Sequence, residues 1–252
     1  QVSSVAFTNI ATLVTNDGAV QNGPLGILKG ATVVVEDGLI ASISTSIPSG
    51  VDKEIDCSEM TLLPGFVDSH SHLIFAGDRA DEFAARSRGK KYTAGGIAST
   101  VKSTRLATDA ALHANAQRLL DEALSTGTTT MEIKSGYGLT EKDELRSIEI
   151  AQEFSDETTL LAAHVIPEEF ATNADAYVKL IIDSIIPASA AKWIDVFCDR
   201  GAFSVEQAEA ILRSGIAKGM SPRIHANQLE AGKGVQLAVS LNAASADHLS
   251  NS

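Results

Sequence analysis

The stretch of sequence that decides the fold is Leu-Leu-Pro-Gly-Phe-Val-Asp-Ser-His-Ser-His, residues 62–72. Its apolar part, Gly65 to Asp68, predicts a short β-strand that leads directly into His70 and His72. Side chains two residues apart on a strand point to the same face of the sheet. The spacing therefore allows two imidazoles to bind one metal ion, and this motif narrows the chemistry more than any other in the chain.

The residues before this motif predict a small all-β unit. They are rich in Val, Ile and Thr, and turn signals separate the apolar runs. Asp37-Gly38 is a dipeptide typical of a two-residue hairpin turn. We therefore predict a first domain over residues 1–61, with strands at Ser4 to Ile10, Ala31 to Val35, Leu39 to Ile43 and Lys53 to Cys57.

After Pro64-Gly65 the pattern changes to short apolar strands that alternate with amphipathic helical segments. The clearest helix runs from Leu106 to Leu124, because its apolar residues recur at helical spacing. Alternating strands and helices imply parallel pairing through right-handed crossovers, and repetition of that unit indicates an α/β protein with a β/α barrel over residues 62–252. A closed barrel needs eight strands. About six are predicted, at Gly65 to Asp68, Thr128 to Ile133, Thr159 to His164, Trp193 to Phe197, Arg223 to His225 and Ala243 to Asp247.

Local signals mark several helix ends in this second region. Thr140 with Asp143, and Ser204 with Gln207, have the spacing that caps the first turn of a helix. A glycine after a helix and a proline near its end both stop it, and the stops predicted in this way are Gly219 and Pro187.

The histidines are concentrated at the predicted strand ends. Five of the six lie at or just after the C-terminal end of a strand, where β/α barrels gather their catalytic groups. A lone strand histidine is more often a hydrogen-bonded core residue than a ligand, but five together favour a site. The imidazoles of His70, His72 and His225 are ligands of the type that a catalytic zinc or iron ion uses. Three such ligands leave one coordination position for a water molecule, and a water bound there ionises near neutral pH. The other two are His164 and His248, whereas His113 shares a polar helix face with Gln117 and Asp121 and is predicted to be solvated.

The composition excludes several classes of function. The chain has 252 residues, of which 44% are hydrophobic and 21% charged, and its formal net charge is -12. This charge argues against nucleic acid and an anionic membrane surface as partners, because both favour clustered Lys and Arg. Cys57 and Cys198 indicate no disulfide framework, and no apolar run is long enough to span a bilayer. We therefore expect a globular protein of the cytoplasm, which could bind an anionic small molecule only through a local basic residue.

The motif and the segments after it resemble a known family. Pro-Gly-Phe-Val-Asp-x-His-x-His, residues 64–72, is similar to the first barrel strand of the amidohydrolase superfamily. Within that superfamily the chain resembles the imidazolonepropionases over nearly its whole length. The resemblance implies an amidohydrolase-type (β/α)8 TIM barrel with a small N-terminal β-sandwich-like domain. The segments that carry it are His72-Leu-Ile-Phe-Ala-Gly-Asp-Arg-Ala80, Gly95-Gly-Ile-Ala-Ser-Thr-Val-Lys-Ser-Thr-Arg105, Glu132-Ile-Lys-Ser-Gly-Tyr-Gly-Leu139, Ala163-His-Val-Ile-Pro167, Asp195-Val-Phe-Cys198, Ile224-His-Ala-Asn-Gln-Leu229 and Ser245-Ala-Asp-His-Leu249.

The resemblance also implies a reaction. Imidazolonepropionases hydrolyse the ring amide of 4-imidazolone-5-propanoate to N-formimidoyl-L-glutamate in histidine degradation. His70, His72 and His225 would bind the metal ion, which is zinc or iron in the family. His248 would hold or shuttle a proton beside the metal, a task that suits an imidazole with an ordinary pKa of about 6.5, and Gln228 would share the catalytic site. A homodimer is the oligomer that the resemblance suggests.

The substrate contacts implied by the resemblance include one residue with a physical argument of its own. A carboxylate that enters a protein of net charge -12 needs a pre-placed guanidinium, and Arg79 can bind it through two hydrogen bonds. Without the resemblance, Arg79 is a candidate for a surface ion pair with Asp78, Asp81 or Glu82, and the tyrosines are candidates for packing residues. The implied contacts are Arg79, Tyr92, Tyr137, His164 and Gln228.

Two positions depart from the family pattern. Related deaminases carry a glutamate three residues after the position of His225, where this chain has Gln228, and an amide cannot titrate. The acid and base work would then fall to His248 and an aspartate. The family's remaining metal ligand is an aspartate on the eighth strand, and neither Asp195 nor Asp247 matches that position. The sequence therefore contains three of the four expected protein ligands, and we expect it to lack the last part of the barrel.

Two alternatives stay open. Another amidohydrolase that acts on a cyclic amide or an aminated heterocycle would share the His-x-His motif. An inactive fragment that keeps the fold and binds a ligand would explain the missing strands. Since an unclosed barrel exposes strand edges, we also expect an isolated chain of this length to be poorly soluble, or to be part of a longer molecule.

Overall fold

The computed structural model describes residues 3–21, 23–46, 49–89 and 95–251. The chain divides into two compact units, Gln1–Phe66 and Val67–Ser252. Within the described residues, every helix is too short or too polar to cross a bilayer. Both cysteines are buried and free.

The first unit contains two small sheets. The larger has the strand order β5-β4-β1-β6 and the smaller the order β3-β2-β7. All four predicted strands are present, and β2, β3 and β7 are additional strands of two or three residues. The sandwich-like arrangement and the boundary after residue 61 stay predictions. The strands are β1 Ser4–Ile10, β2 Thr12–Val14, β3 Ile27–Leu28, β4 Ala31–Glu36, β5 Leu39–Ser44, β6 Lys53–Asp56 and β7 Thr61–Leu62.

The hairpin between β4 and β5 forms as its sequence predicts. Asp37 and Gly38 have φ angles of 49° and 82°. Both values lie in the left-handed region that a tight hairpin turn requires, where aspartate and glycine are the favoured residues. A small core of residues such as Ile10, Leu13 and Val33 fills this unit.

The second unit is built on one six-stranded sheet with the order β13-β12-β11-β10-β9-β8. Each pairing from β9 to β13 is parallel. The sheet ends at β8 and β13, so it forms a curled half-barrel, and a closed eight-stranded barrel is not present in the described part of the chain. The strands are β8 Phe66–Ser71, β9 Thr128–Lys134, β10 Thr158–Ala163, β11 Trp193–Cys198, β12 Ser221–Ala226 and β13 Ser245–His248.

Helices cover this sheet between successive strands. Every residue of β10 is buried, which fits a parallel strand that is covered on both faces. The chain also has a 3-10 turn at Glu168–Phe170 and a π-helical turn at Ile181–Ile185. The α-helices are α1 Ala80–Ser87, α2 Gly95–Leu106, α3 Asp109–Ser125, α4 Glu141–Gln152, α5 Ala174–Leu180, α6 Ile186–Ala188, α7 Val205–Lys218 and α8 Gly234–Ser240.

One helix prediction needs a correction. The sequence predicts a helix from Leu106 to Leu124, but Leu106 is the last residue of α2, and α3 begins at Asp109. The reason is a cap: the hydroxyl of Thr108 accepts a hydrogen bond from the backbone N–H of Ala111. Apolar periodicity runs through both helices and does not mark the break between them.

The other predicted helix ends agree with the structure. Thr140 caps α4 by accepting from the N–H of Asp143, and Ser204 and Gln207 form a capping box at the start of α7. Gly219 ends α7 with a φ of 97°. The chain also leaves the helical conformation directly after α6, which contains Pro187.

Candidate metal centre

Five histidines meet at the C-terminal edge of the parallel sheet. His70 lies on β8 and His225 on β12, while His72 and His164 follow directly after β8 and β10, and His248 ends β13. The imidazole centroid of His70 is 5.2 Å from that of His72, 4.5 Å from that of His225 and 5.0 Å from that of His248. Parallel strands place their carboxyl ends at one edge, so residues separated by long stretches of sequence come together here.

Three of these side chains have the geometry of a metal-binding site. His70, His72 and His225 each offer one ring nitrogen, and the three nitrogens all lie within 4.8 Å of one another. The Nε2 atoms of His70 and His72 are 3.2 Å apart. His225 Nε2 and His72 Nδ1 are buried without a hydrogen-bond partner among the described residues. Because a buried nitrogen without a partner is costly, and neutral imidazoles are ligands that zinc and iron accept, the donor set fits such an ion.

Carboxylates orient two of the three imidazoles. Asp195 lies 3.0 Å from His225 Nδ1, and Asp247 lies 3.0 Å from His70 Nδ1. When Nδ1 donates its proton to a carboxylate, the lone pair of Nε2 is left for a metal ion. Asp195, His225 and Asp247 also bring ligand atoms within 4.8 Å of one another, but the Asp195 carboxylate already contacts a buried lysine.

That lysine, Lys134, belongs to a buried charge network below the histidines. Its Nζ is 2.8 Å from Glu132 Oε1 and 2.9 Å from Asp195 Oδ2. All three side chains are at most 3% exposed. Burial alone would raise the pKa of Asp195 and lower that of Lys134, but the opposite charges outweigh it. The pKa of Asp195 is therefore held well below its ordinary value, and that of Lys134 is raised.

This network was missed in the sequence. Glu132 and Lys134 stand two residues apart on β9, so they share a face of a strand whose last four residues are buried. The sequence signal that could have identified this network is the pair of opposite charges two residues apart within a predicted strand. The contact between Lys134 and Asp195 joins residues that are 61 apart in the sequence, so no local sequence pattern indicates it.

His164 and Tyr137 lie beside the three-histidine group. The His164 ring stacks on that of His72 at a centroid distance of 5.2 Å, and the Tyr137 ring is 5.3 Å from His164. His164 Nδ1 is 2.9 Å from the carbonyl oxygen of Gly136. Burial, together with the nearby charge of His225, lowers the pKa of His164 to about 3. His164 is therefore a neutral imidazole near neutral pH.

The remaining predicted residues have different positions. Arg79 precedes α1, and its charge is among those that depress the pKa of His164. Gln228 lies on the loop after β12, where its backbone N–H donates to Asp199 Oδ2 at 2.8 Å. Partial burial, together with the nearby His225 and His70, lowers the pKa of His248 to about 4. The ordinary value expected from the sequence is therefore not observed, and His248 is a neutral imidazole near neutral pH. Tyr92 lies outside the described residues.

The sixth histidine is largely solvated, as its polar helix face predicts. The side chain of His113 is 41% exposed. The sequence does not show its two partners: its Nε2 is 3.2 Å from Glu153 Oε2, and its ring packs at 4.5 Å from that of Phe154. Both partners come from the end of α4 and the residues after it, so packing of that segment on α3 determines the contact.

Solved structures with a similar fold include a dipeptidase and an atrazine chlorohydrolase. A Xaa-Pro dipeptidase superposes with a TM-score of 0.60 at 14% identity, covering 96% of this chain and 60% of the other. The zinc complex of the atrazine chlorohydrolase of Arthrobacter aurescens gives a TM-score of 0.54 at 16% identity, covering 94% of this chain and 55% of the other. No family model matches the chain. The curled parallel sheet with histidines at its strand ends therefore defines an amidohydrolase-fold protein.

The similar sequences are those of imidazolonepropionases. The imidazolonepropionase of Mycolicibacterium smegmatis is 54% identical over 253 residues, which cover 99% of this chain and 64% of that protein. The imidazolonepropionase of Salinispora arenicola is 55% identical over 250 residues, 98% of this chain and 64% of that protein. The chain is thus a homologue of the imidazolonepropionases and spans about 64% of the length of these relatives. The resemblance predicted from its motifs is confirmed.

Proposed function

We propose that this chain carries the metal-binding part of an imidazolonepropionase active site, which hydrolyses the ring amide of 4-imidazolone-5-propanoate to N-formimidoyl-L-glutamate. The observation that supports this most strongly is the gathering of His70, His72 and His225. His225 Nε2 and His72 Nδ1 are buried there without a hydrogen-bond partner among the described residues. Sequence identity of 54% with an imidazolonepropionase supports the choice of substrate.

In this proposal His70, His72 and His225 hold one zinc or iron ion. Such an ion, when bound, supplies a Lewis acid that polarises a carbonyl and lowers the pKa of water. Asp195 and Asp247 hold the Nδ1 protons of His225 and His70, so that both rings keep one orientation. The fourth ligand that the family uses is an aspartate on an eighth strand, and the described sheet contains six strands.

The other residues bind the substrate and move a proton. Arg79 binds the propionate, since a guanidinium matches a carboxylate through two parallel hydrogen bonds. His164, Tyr137, Tyr92 and Gln228 contact the ring and the tail. Opening of the ring requires a proton at its nitrogen, and Gln228 cannot supply one.

His248 is the group proposed for this proton transfer. Its ring lies 5.0 Å from that of His70 and 4.9 Å from that of His225. It is also exposed at the open edge of the sheet, where a proton can be exchanged with solvent. Gln228 keeps a place in the catalytic site as a hydrogen-bonding group.

The test of substrate choice uses the purified, metal-loaded protein with 4-imidazolone-5-propanoate, guanine and a hydantoin. The imidazolone should be hydrolysed with the highest kcat/KM. Arg79→Ala should raise KM for it by about 10- to 100-fold, because a charge-assisted hydrogen-bonded pair is lost. Arg118→Ala is the matched control, since Arg118 is an exposed residue paired with Glu122 on α3.

Two outcomes would favour the alternatives. Preference for guanine or the hydantoin, with no effect of Arg79→Ala, would assign the chain to another amidohydrolase activity. Binding of the imidazolone in a calorimeter without formation of N-formimidoyl-L-glutamate would assign it a ligand-binding role. A cytoplasmic location and a homodimer belong to the same proposal and rest on the family alone.

A further inference from the structure

A buried carboxylate outside the proposed ligand set organises the loop that touches His164. Glu144, in the first turn of α4, is fully buried. Its Oε2 accepts from the N–H of Gly136 at 3.1 Å, and its Oε1 accepts from those of Gly138 and Leu139 at 2.8 and 2.7 Å. Three backbone donors of one short loop therefore converge on a single side chain.

The loop can approach this carboxylate only because of its glycines. Gly136 has a φ of 112°, and a Cβ there would lie 3.0 Å from His164 Nδ1 and 3.1 Å from the carbonyl oxygen of Leu161. A Cβ on Gly138 would lie 2.7 Å from the backbone nitrogen of Glu144. Tyr137 stands between these two glycines, so the position of its ring follows from the path of the loop.

The same loop decides which nitrogen of His164 carries the proton. The carbonyl oxygen of Gly136 is 2.9 Å from His164 Nδ1. A carbonyl can only accept, so Nδ1 must be the donor. In a neutral imidazole the other nitrogen, Nε2, then has a free lone pair and acts as an acceptor.

We propose that Glu144 is a positioning residue: by holding residues 136–139 it keeps His164 in the Nδ1–H tautomer and presents His164 Nε2 to the substrate as a hydrogen-bond acceptor. The ligand that this nitrogen recognises is one with an N–H or O–H donor. Its identity as an imidazolone N–H rests on the proposed function, whereas the tautomer itself does not.

Glu144→Gln is the informative variant, because an amide offers one acceptor oxygen where the carboxylate offers two. The amide nitrogen would face either the Gly136 N–H or the N–H groups of Gly138 and Leu139. The N–H groups on that side of the loop would then lose their hydrogen-bond acceptor. Thr140→Ala is the matched control. It removes the N-cap of the same helix and leaves the carboxylate in place.

The readout is the pair of 15N signals of His164 in histidine-labelled, metal-loaded protein, assigned with a His164→Asn variant. The wild type and Thr140→Ala should show a protonated Nδ1 and an unprotonated Nε2. Glu144→Gln should show a mixture of both tautomers. In the activity assay it should raise KM about 10-fold, with a smaller change in kcat.

Three results would overturn the proposal. The first is an Nε2–H tautomer of His164 in the wild type, which needs no variant and stays decisive if Glu144→Gln does not fold. The second is a pure Nδ1–H tautomer in Glu144→Gln. The third is the same mixture in Thr140→Ala. If the tautomers behave as expected but the imidazolone is not hydrolysed, the proposed function fails and the role of Glu144 stands.

Discussion

At the scale of single residues, the site depends on a chain of hydrogen bonds that runs inward from the histidines. His225 contacts Asp195, and Asp195 contacts Lys134, which is completely buried. Each member restrains the next, so the orientation of His225 depends on charges that are buried behind it. Second-layer partners of this type typically change metal affinity by about 10- to 100-fold when they are removed.

Lys134→Met should destabilise the protein by about 3–5 kcal/mol, because it leaves the carboxylates of Glu132 and Asp195 buried without their cation. Urea unfolding followed by circular dichroism measures this loss. Lys179→Met is the control, since Lys179 forms an exposed pair with Asp183 on the outer surface, and it should change stability by less than about 0.5 kcal/mol. Equal effects of the two substitutions would show that the buried network is not needed for folding.

At the scale of elements, the sequence predicts what depends on neighbours along the chain. The six sheet strands and the caps at Thr140 and Ser204 follow from apolar periodicity and from side chains three residues apart. The break between α2 and α3 was missed, because apolar residues continue across it while Thr108 interrupts the helix. Strands of two or three residues, such as Ile27–Leu28, are too short to show any periodicity.

The candidate site also contains residues that the sequence predicts and residues that it does not predict. His70 and His72 could be predicted because strand geometry alone places them on one face. The roles of Glu144 and Lys134 could not, since they depend on contacts between a helix and a loop and between β9 and β11. Contacts between residues that are far apart in the sequence have no characteristic spacing, so a single sequence does not reveal them.

The capping box of α7 gives a prediction at this scale. Ser204→Ala removes the acceptor for the Gln207 N–H and should cost about 1 kcal/mol of the free energy of unfolding. Ser214→Ala, in the interior of the same helix, should change it by less than about 0.5 kcal/mol. Thermal or urea unfolding of both variants checks the difference, and a loss in Ser214→Ala as large as that in Ser204→Ala would contradict the assigned cap.

At the scale of the whole molecule, the six-stranded sheet of the described residues ends in two edge strands, β8 and β13. Apolar side chains are exposed at one of them, with Val67 of β8 68% exposed. An open strand can pair with a strand of another molecule, and exposed apolar residues on it favour association. The net charge of -12 opposes association at low ionic strength, and salt should weaken that opposition.

We therefore predict that the 252-residue chain self-associates as salt is raised, and that Val67→Lys reduces this, because a lysine on an edge strand disfavours pairing. Sedimentation velocity at low and moderate ionic strength measures the effect. Leu124→Lys serves as the comparison, since Leu124 is similarly exposed, at 61%, but lies on a helix. If both substitutions reduce association equally, general apolar exposure and not the strand edge is responsible.

The central claim is that three histidines from two distant strands hold one metal ion. Its most direct test is the metal content of the purified protein after chelation and reloading, measured by inductively coupled plasma mass spectrometry. We predict one zinc or iron ion per chain in the wild type and in His113→Ala, and less than a tenth of that in His72→Ala and His225→Ala. A wild type that binds no ion, or full metal content in both His72→Ala and His225→Ala, would contradict the account.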